Sequence, residues 1–156
     1  MKKISENISY KEAVRSETAK RLGISNKPKK EHIENMELIA EKIFQPLREW
    51  VDHPIRINSF YRSEELNSRI GGAISSAHKE GLAIDITSLG EKTNLEMFHY
   101  IKDHLDYDIL INEYPNDDGE PKWIHVSWSK KKNRKQVLEI KRKGRYYTYT
   151  GCKGCK

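Results

Sequence analysis

The sequence predicts an α+β fold, with short helices leading and strands with interspersed helices following. Three observations predict it. Between residues 31 and 51, Ile33, Met36, Ile39, Ile43, Leu47 and Trp50 recur every three or four positions and form one apolar helical stripe. After Pro54 the period shortens to two, around Ile55/Ile57, Ile84/Ile86 and Ile124/Val126. Turn residues separate these runs, above all the Asn-, Asp- and Gly-rich stretch between 113 and 123.

The elements follow in order. Ser9 and Glu12 stand three apart and read as a capping box that opens a short helix. Gly23 stops it after Leu22, with a break near Ser16. The helix over 31–51 contains Pro46, which should kink it or change its direction. A strand over 55–59 precedes a short helix at 63–70, capped by Ser63 and ended by Gly71-Gly72. Ile84 to Ile86 is a strand. Thr93 and Glu96 open a further helix whose buried face is Leu95, Phe98, Ile101 and Leu105. Residues 109–113 and 123–128 read as paired strands. A last hairpin, 136–150, turns near Lys143-Gly144. The expected organisation is a single domain over 1–150, with N-terminal helices at 9–23 and a tail at 151–156.

Composition excludes several classes. A chain of 156 residues buries roughly 70% of the surface its unfolded form exposes, enough for a core without covalent staples. The two cysteines, Cys152 and Cys155, sit in the last five residues, so a disulfide framework is excluded. They lack a second pair or a nearby His to complete a zinc ribbon, and a solvated tail is expected. No run approaches 18 apolar residues, which excludes a membrane-spanning helix. No apolar run follows Met1-Lys2-Lys3, so no secretory signal peptide is expected.

Charge is uneven. Residues 122–156 carry net +11 and residues 1–121 net −5, for a total of +6. A basic C-terminal third suggests an anionic partner, against the plainer reading of a solvated basic face. Tyr146, Tyr147 and Tyr149 beside Arg145 could belong to an aromatic-basic patch, but they suit a half-buried hairpin better.

Three segments look chemical: 57–72, 76–85 and 122–128. His78 and Asp85 have six residues between them, a spacing that chance alone supplies about 0.3 times here. His99 and Asp106 share it, but a helix would hold those two about 10 Å apart along its axis. Gly81 permits a bend between His78 and Asp85. If Ile84 and Ile86 face the core, Asp85 faces the other side and needs a cation, donors or water. Ile124 and Val126 place His125 and Ser127 on a shared opposite face in the same way. Two imidazoles and one carboxylate are a sufficient protein set for a catalytic zinc. Each His alone is as well explained as an ordinary hydrogen-bonded residue.

Taken together, the blocks SFYRSEELN, SAHKEGLAID and WIHVS resemble the zinc D-Ala-D-Ala carboxypeptidase family, from about residue 8 to about residue 130. The closest likeness is to its compact phage endolysin-like and bacterial members. The resemblance implies a Hedgehog/DD-peptidase-like fold, a small antiparallel sheet with N-terminal helices packed on one side. It implies one Zn2+ held by His78, Asp85 and His125. It implies Arg62 as the group that stabilises the scissile carbonyl or binds substrate, with Ser76 and Tyr61 as further substrate-binding residues. A salt bridge from Arg62 to Glu64 or Glu65 is the alternative.

Phe60 stands where the family pattern has Gly, and Ala77 replaces a common polar residue. Lys122 stands where many relatives carry an acidic general base, a role Lys cannot take. Glu113 is the candidate replacement. If 109–113 and 123–128 pair, it lies beside Trp123 or His125, with Asp118 and Glu120 as lesser candidates.

The implied function is zinc-dependent hydrolysis of peptide bonds in peptidoglycan stems or crosslinks, as carboxypeptidase or endopeptidase, in a phage lysin or in wall remodelling. The alternative is a noncatalytic, zinc-containing wall-binding module of the same fold. Peptidoglycan peptides are the expected partner, with anionic wall polymers on the basic C-terminal region. Nucleic acid is not the expected partner; such binding would fall steeply with salt. A monomer is expected, made in the cytoplasm and delivered to the wall by another component.

Overall fold

The computed structural model describes residues 2–151. The cysteine tail expectation lies outside the described residues. Two short strands, β1 (Lys3–Ser5) and β2 (Ile8–Ser9), pair antiparallel and bring Ile4 and Ile8 into the core. Two short helices follow, α1 (Tyr10–Val14) and α2 (Glu17–Leu22). The Ser9/Glu12 capping box closes α1 at its start, Ser16 caps α2, and Gly23 ends α2 at φ 67°.

The long helical stretch is one run in three parts: α3 (Lys30–Ile39), a π-helical turn (Ala40–Phe44) and α4 (Gln45–Val51). The π turn is the local answer to Pro46. A proline cannot donate its backbone N–H and its ring crowds the preceding turn. The turn widens before it, with the Gln45 N–H donating to the Ala40 carbonyl five residues back. The helix therefore passes through Pro46 by inserting a residue, where the sequence pattern suggested a kink or a change of direction.

Strand β3 (Ile55–Ser59) leads into α5 (Glu64–Arg69), capped by the Ser63 hydroxyl. A single 3-10 turn (Ala77–Glu80) precedes β4 (Ala83–Ser88). Helix α6 (Asn94–His104) carries the Thr93/Glu96 capping box. Strands β5 (Ile109–Glu113), β6 (Trp123–Ser127), β7 (Gln136–Arg142) and β8 (Arg145–Thr148) complete the described chain.

The larger sheet has six strands in the order β3-β4-β6-β5-β7-β8. All neighbours are antiparallel except β5 and β7, which run parallel. One face of the sheet is apolar: Ile57, Ile84, Ile86, Leu110, Ile124 and Val126 are buried against Met36, Ile39, Ile43, Leu47, Phe98 and Ile101 of the helices. The other face carries Asp85, His125 and Glu113. Asp85 is directly opposite His125, and Glu113 is opposite Trp123. The period-two alternation thus divides the sheet into a core face and a chemical face. None of the helices among the described residues is long and apolar enough to cross a membrane.

Candidate metal centre

His78 reaches the chemical face from the 3-10 turn rather than from a strand. Ser76 caps that turn, its hydroxyl accepting from the His78 N–H at 3.3 Å. Gly81 ends it at φ 76°, in the left-handed region. A side chain at Gly81 would put Cβ 2.6 Å from the His32 carbonyl oxygen, so helix α3 presses directly on this turn.

The His78 ring is fully buried, and its Nδ1 lies 2.7 Å from the Phe60 carbonyl oxygen. A carbonyl can only accept, so Nδ1 carries the proton and Nε2 carries a lone pair. That Nε2 is buried without a hydrogen-bond partner. It faces Asp85 Oδ2 at 3.2 Å, close enough for a bond but with no proton between them in this tautomer. His125 Nδ1 lies 2.9 Å from Asp85 Oδ1. One donor atom from each of the three side chains lies within 4.8 Å of the other two.

Burial favours the neutral form of His78 and pushes its pKa down, against the pull of Asp85. Burial alone would raise Asp85, but the positive charge and hydrogen bonds that His78 and His125 offer when protonated outweigh it and hold the carboxyl below its usual range. With His78 in its neutral form, the Nε2 lone pair faces the Asp85 carboxylate oxygen. That contact is repulsive unless a cation sits between them. Nitrogen and oxygen ligands about 2.0–2.2 Å from a zinc ion, in tetrahedral array, match the chemistry and the closeness of these three groups. The donor set fits zinc.

Arg62 flanks the cluster. Its Nε donates to Ser59 Oγ at 3.2 Å and its Nη1 to Asn67 Oδ1 at 3.0 Å, while Nη2 lies 3.8 Å from Asp85 Oδ2. The alternative partners Glu64 and Glu65 are not among its contacts; the acidic partner is Asp85. Burial lowers its pKa while Asp85, Glu113 and Tyr146 raise it, and a guanidinium stays charged regardless.

Glu113 sits on the same face, 8% exposed, with its carboxyl pushed up to about 7. Burial is the main cause; Asp85 adds to it, and His125 and Arg62 oppose it. Lys122 is exposed and meets Glu113 only through the backbone, its N–H donating to the Glu113 carbonyl. Asp118 lies in the exposed part of the turn, and Glu120 accepts from the Leu95 N–H at the start of α6.

Of the expected site residues, the structure gathers His78, Asp85, His125, Arg62 and Glu113. Ser76 acts on the loop, as the cap of the His78 turn. Tyr61 stands apart: its ring is buried and stacks on His32 at 5.0 Å, near Glu80 and Tyr10. Sequence reasoning gave no role to Asn26 or Asn67. Asn26 donates to the Val14 and Tyr61 carbonyls and accepts from the Ser63 N–H, tying the segment around Arg62 to the first helices. Asn67 holds Arg62 and donates to the Ala73 carbonyl. It closes the SFYRSEELN block, which was the available signal.

The model of the family described as Peptidase M15 matches residues 6–127. The chain belongs to the peptidase M15 family. The matched region contains all three candidate metal ligands, Arg62 and Glu113. Comparison with curated proteins gives no match. Membership in this family makes the chain a metallopeptidase, and it makes peptidoglycan peptides the substrate class that the family implies.

Proposed function

We propose that this M15 metallopeptidase hydrolyses a peptide bond of the peptidoglycan stem or crosslink, either as a D-Ala-D-Ala carboxypeptidase or as an endopeptidase. The observation that carries the proposal is the buried, orphaned Nε2 of His78 facing the Asp85 carboxylate beside His125. His78, Asp85 and His125 would hold one zinc ion. Bound there, zinc supplies the Lewis acidity that polarises a carbonyl and makes water nucleophilic near neutral pH.

The chain's own residues do the rest. Glu113 takes the proton of the attacking water at its carboxylate and delivers it to the departing nitrogen. A carboxyl near 7 suits both halves of that transfer. Arg62, held by Ser59 and Asn67, presents a fixed positive charge where negative charge develops on the carbonyl oxygen. Lys122 leaves the usual base position empty, and Glu113 supplies the function from the neighbouring strand.

Action in a phage lysin or in wall remodelling, as a monomer delivered to the wall by another component, belongs to the same proposal. So does contact of the exposed Lys131 and Lys132 with anionic wall polymers. Arg134 and Lys135 instead pair with Asp108 and Asp106.

The test is mass spectrometry of muropeptides after incubation with purified peptidoglycan, with and without a chelator. Chelator-sensitive loss of terminal alanine gives carboxypeptidase action, and chelator-sensitive opening of crosslinks gives endopeptidase action. An unchanged profile from protein carrying stoichiometric zinc, across several wall chemistries, overturns the enzyme and favours a binding module.

A further inference from the structure

The β7–β8 hairpin lies beyond the residues that the family model matches, yet it is built into the chemical face. β7 pairs with β5 so that Ile140 lies opposite Glu113, and β8 pairs with β7 so that Tyr146 lies opposite Ile140. Glu113, Ile140 and Tyr146 therefore form one row across three strands. Side chains directly opposite one another in neighbouring strands share a face. Adjacent strands are about 4.8 Å apart, so the Tyr146 Cα lies about 10 Å from that of Glu113. Ile140 between them is buried and forms an apolar floor, while Tyr146 is 54% exposed.

The hairpin tip reaches the 70–72 segment. Lys143 Nζ lies 3.5 Å from the Ile70 carbonyl oxygen, and a Cβ built on Gly71 would come within 2.8 Å of that Nζ. The same segment continues through the Gly72 N–H, which donates to the Asn67 carbonyl, and Asn67 in turn holds Arg62. Arg62, Asn67, the 70–72 segment and the hairpin tip that leads into Tyr146 thus form a continuous line of contacts beside the chemical face. The charges felt by the Tyr146 phenol agree with this placement. After burial, its pKa is raised by Glu113, Tyr114 and Asp85 and opposed by Arg62.

We infer that Tyr146 is a substrate-contacting residue of this peptidase, its phenol O–H donating to a carbonyl or carboxylate oxygen of the bound stem peptide beside Glu113. The inference rests on the peptidase reading of the metal centre and extends it to a part of the chain outside the family match. Tyr147, the next residue, alternates to the opposite face and is the internal control.

The experiment uses the full-length zinc-loaded protein. Tyr146→Phe, Tyr146→Ala and Tyr147→Ala are compared with the parent for zinc content, for kcat and KM on a soluble muropeptide pentapeptide ending in D-Ala-D-Ala, and for binding of that muropeptide in a Glu113→Gln background. Tyr146→Phe and Tyr146→Ala should keep full zinc and lose about tenfold in kcat/KM, the worth of one hydrogen bond to substrate. Binding in the Glu113→Gln background should weaken by the same factor, and Tyr147→Ala should leave both unchanged. Equal loss in Tyr147→Ala, or zinc loss in Tyr146→Phe, would show a structural role and overturn the inference. Unchanged turnover and binding in both Tyr146 variants would overturn it while leaving the peptidase reading intact. A parent protein that neither cleaves nor binds the muropeptide would overturn both.

Discussion

Replacing Glu113 by Gln separates the chemical role of this carboxylate from its structural cost. The side chain is nearly isosteric, so the β5–β6 register should persist. In the metal-free protein the Glu113 carboxyl is raised from 4.5 to about 7, chiefly by burial. Between those two pH values the folded chain keeps a proton that the unfolded chain has released. Stability therefore falls as pH rises through this window, and the full cost is present above about 7. At 1.36 kcal/mol per pH unit the ceiling is about 3 kcal/mol. Residual solvent contact reduces this to about 1–2 kcal/mol. Gln carries no charge and escapes the cost. Chelator-treated Glu113→Gln should match the parent below pH 4.5 and exceed it above pH 7, by about 2–8 °C in Tm for a chain of this size. The zinc-loaded variant should keep its metal and lose about 10²–10⁴-fold in kcat. Thermal melts at pH 4 and pH 8, zinc content and muropeptide turnover check all three. A stability difference independent of pH would refute the buried-carboxylate argument, and retained turnover would remove Glu113 from the chemistry.

Three other outcomes are expected. His78→Ala should lower zinc affinity by at least about 100-fold, measured by metal content after dialysis against a weak chelator. Gly81→Ala should destabilise by about 2 kcal/mol or more, because the residue sits at φ 76° with the His32 carbonyl where Cβ would go; urea denaturation reads the loss, and zinc should bind more weakly as the His78 turn shifts. Asn26→Ala removes three hydrogen bonds beside Arg62 and should cost about 2–3 kcal/mol, with kcat/KM falling while zinc content holds.

Much of the fold could be read locally. The Ser9/Glu12 and Thr93/Glu96 boxes are complete within four residues, and Gly23 does adopt the left-handed conformation. Asp85 and His125 could be placed on one face because each is flanked by buried apolar residues within its own strand. Features set by distant partners were not legible. β1 and β2 are too short to display a period. The parallel pairing of β5 with β7 depends on strands 27 positions apart in register. The acidic partner of Arg62 could not be chosen among neighbouring carboxylates, since Asp85 is 23 residues away. Tyr146 looked like a strand aromatic because its position in the Glu113 row emerges only after two registers are combined.

The acceptor that orients His78 is the main chain of Phe60, and no substitution can delete a carbonyl. Phe60 itself is among the largest fully buried side chains of the core, on the structural side of this same residue. Core and candidate metal centre therefore share one residue. A smaller side chain at Phe60 is expected to loosen the packing around that carbonyl and, through the hydrogen bond, the orientation of the imidazole. Metal affinity at the proposed site would then be open to adjustment from the interior, by repacking hydrocarbon buried beneath it. Selection on a metal held there could act through the hydrophobic core while every ligand residue is retained.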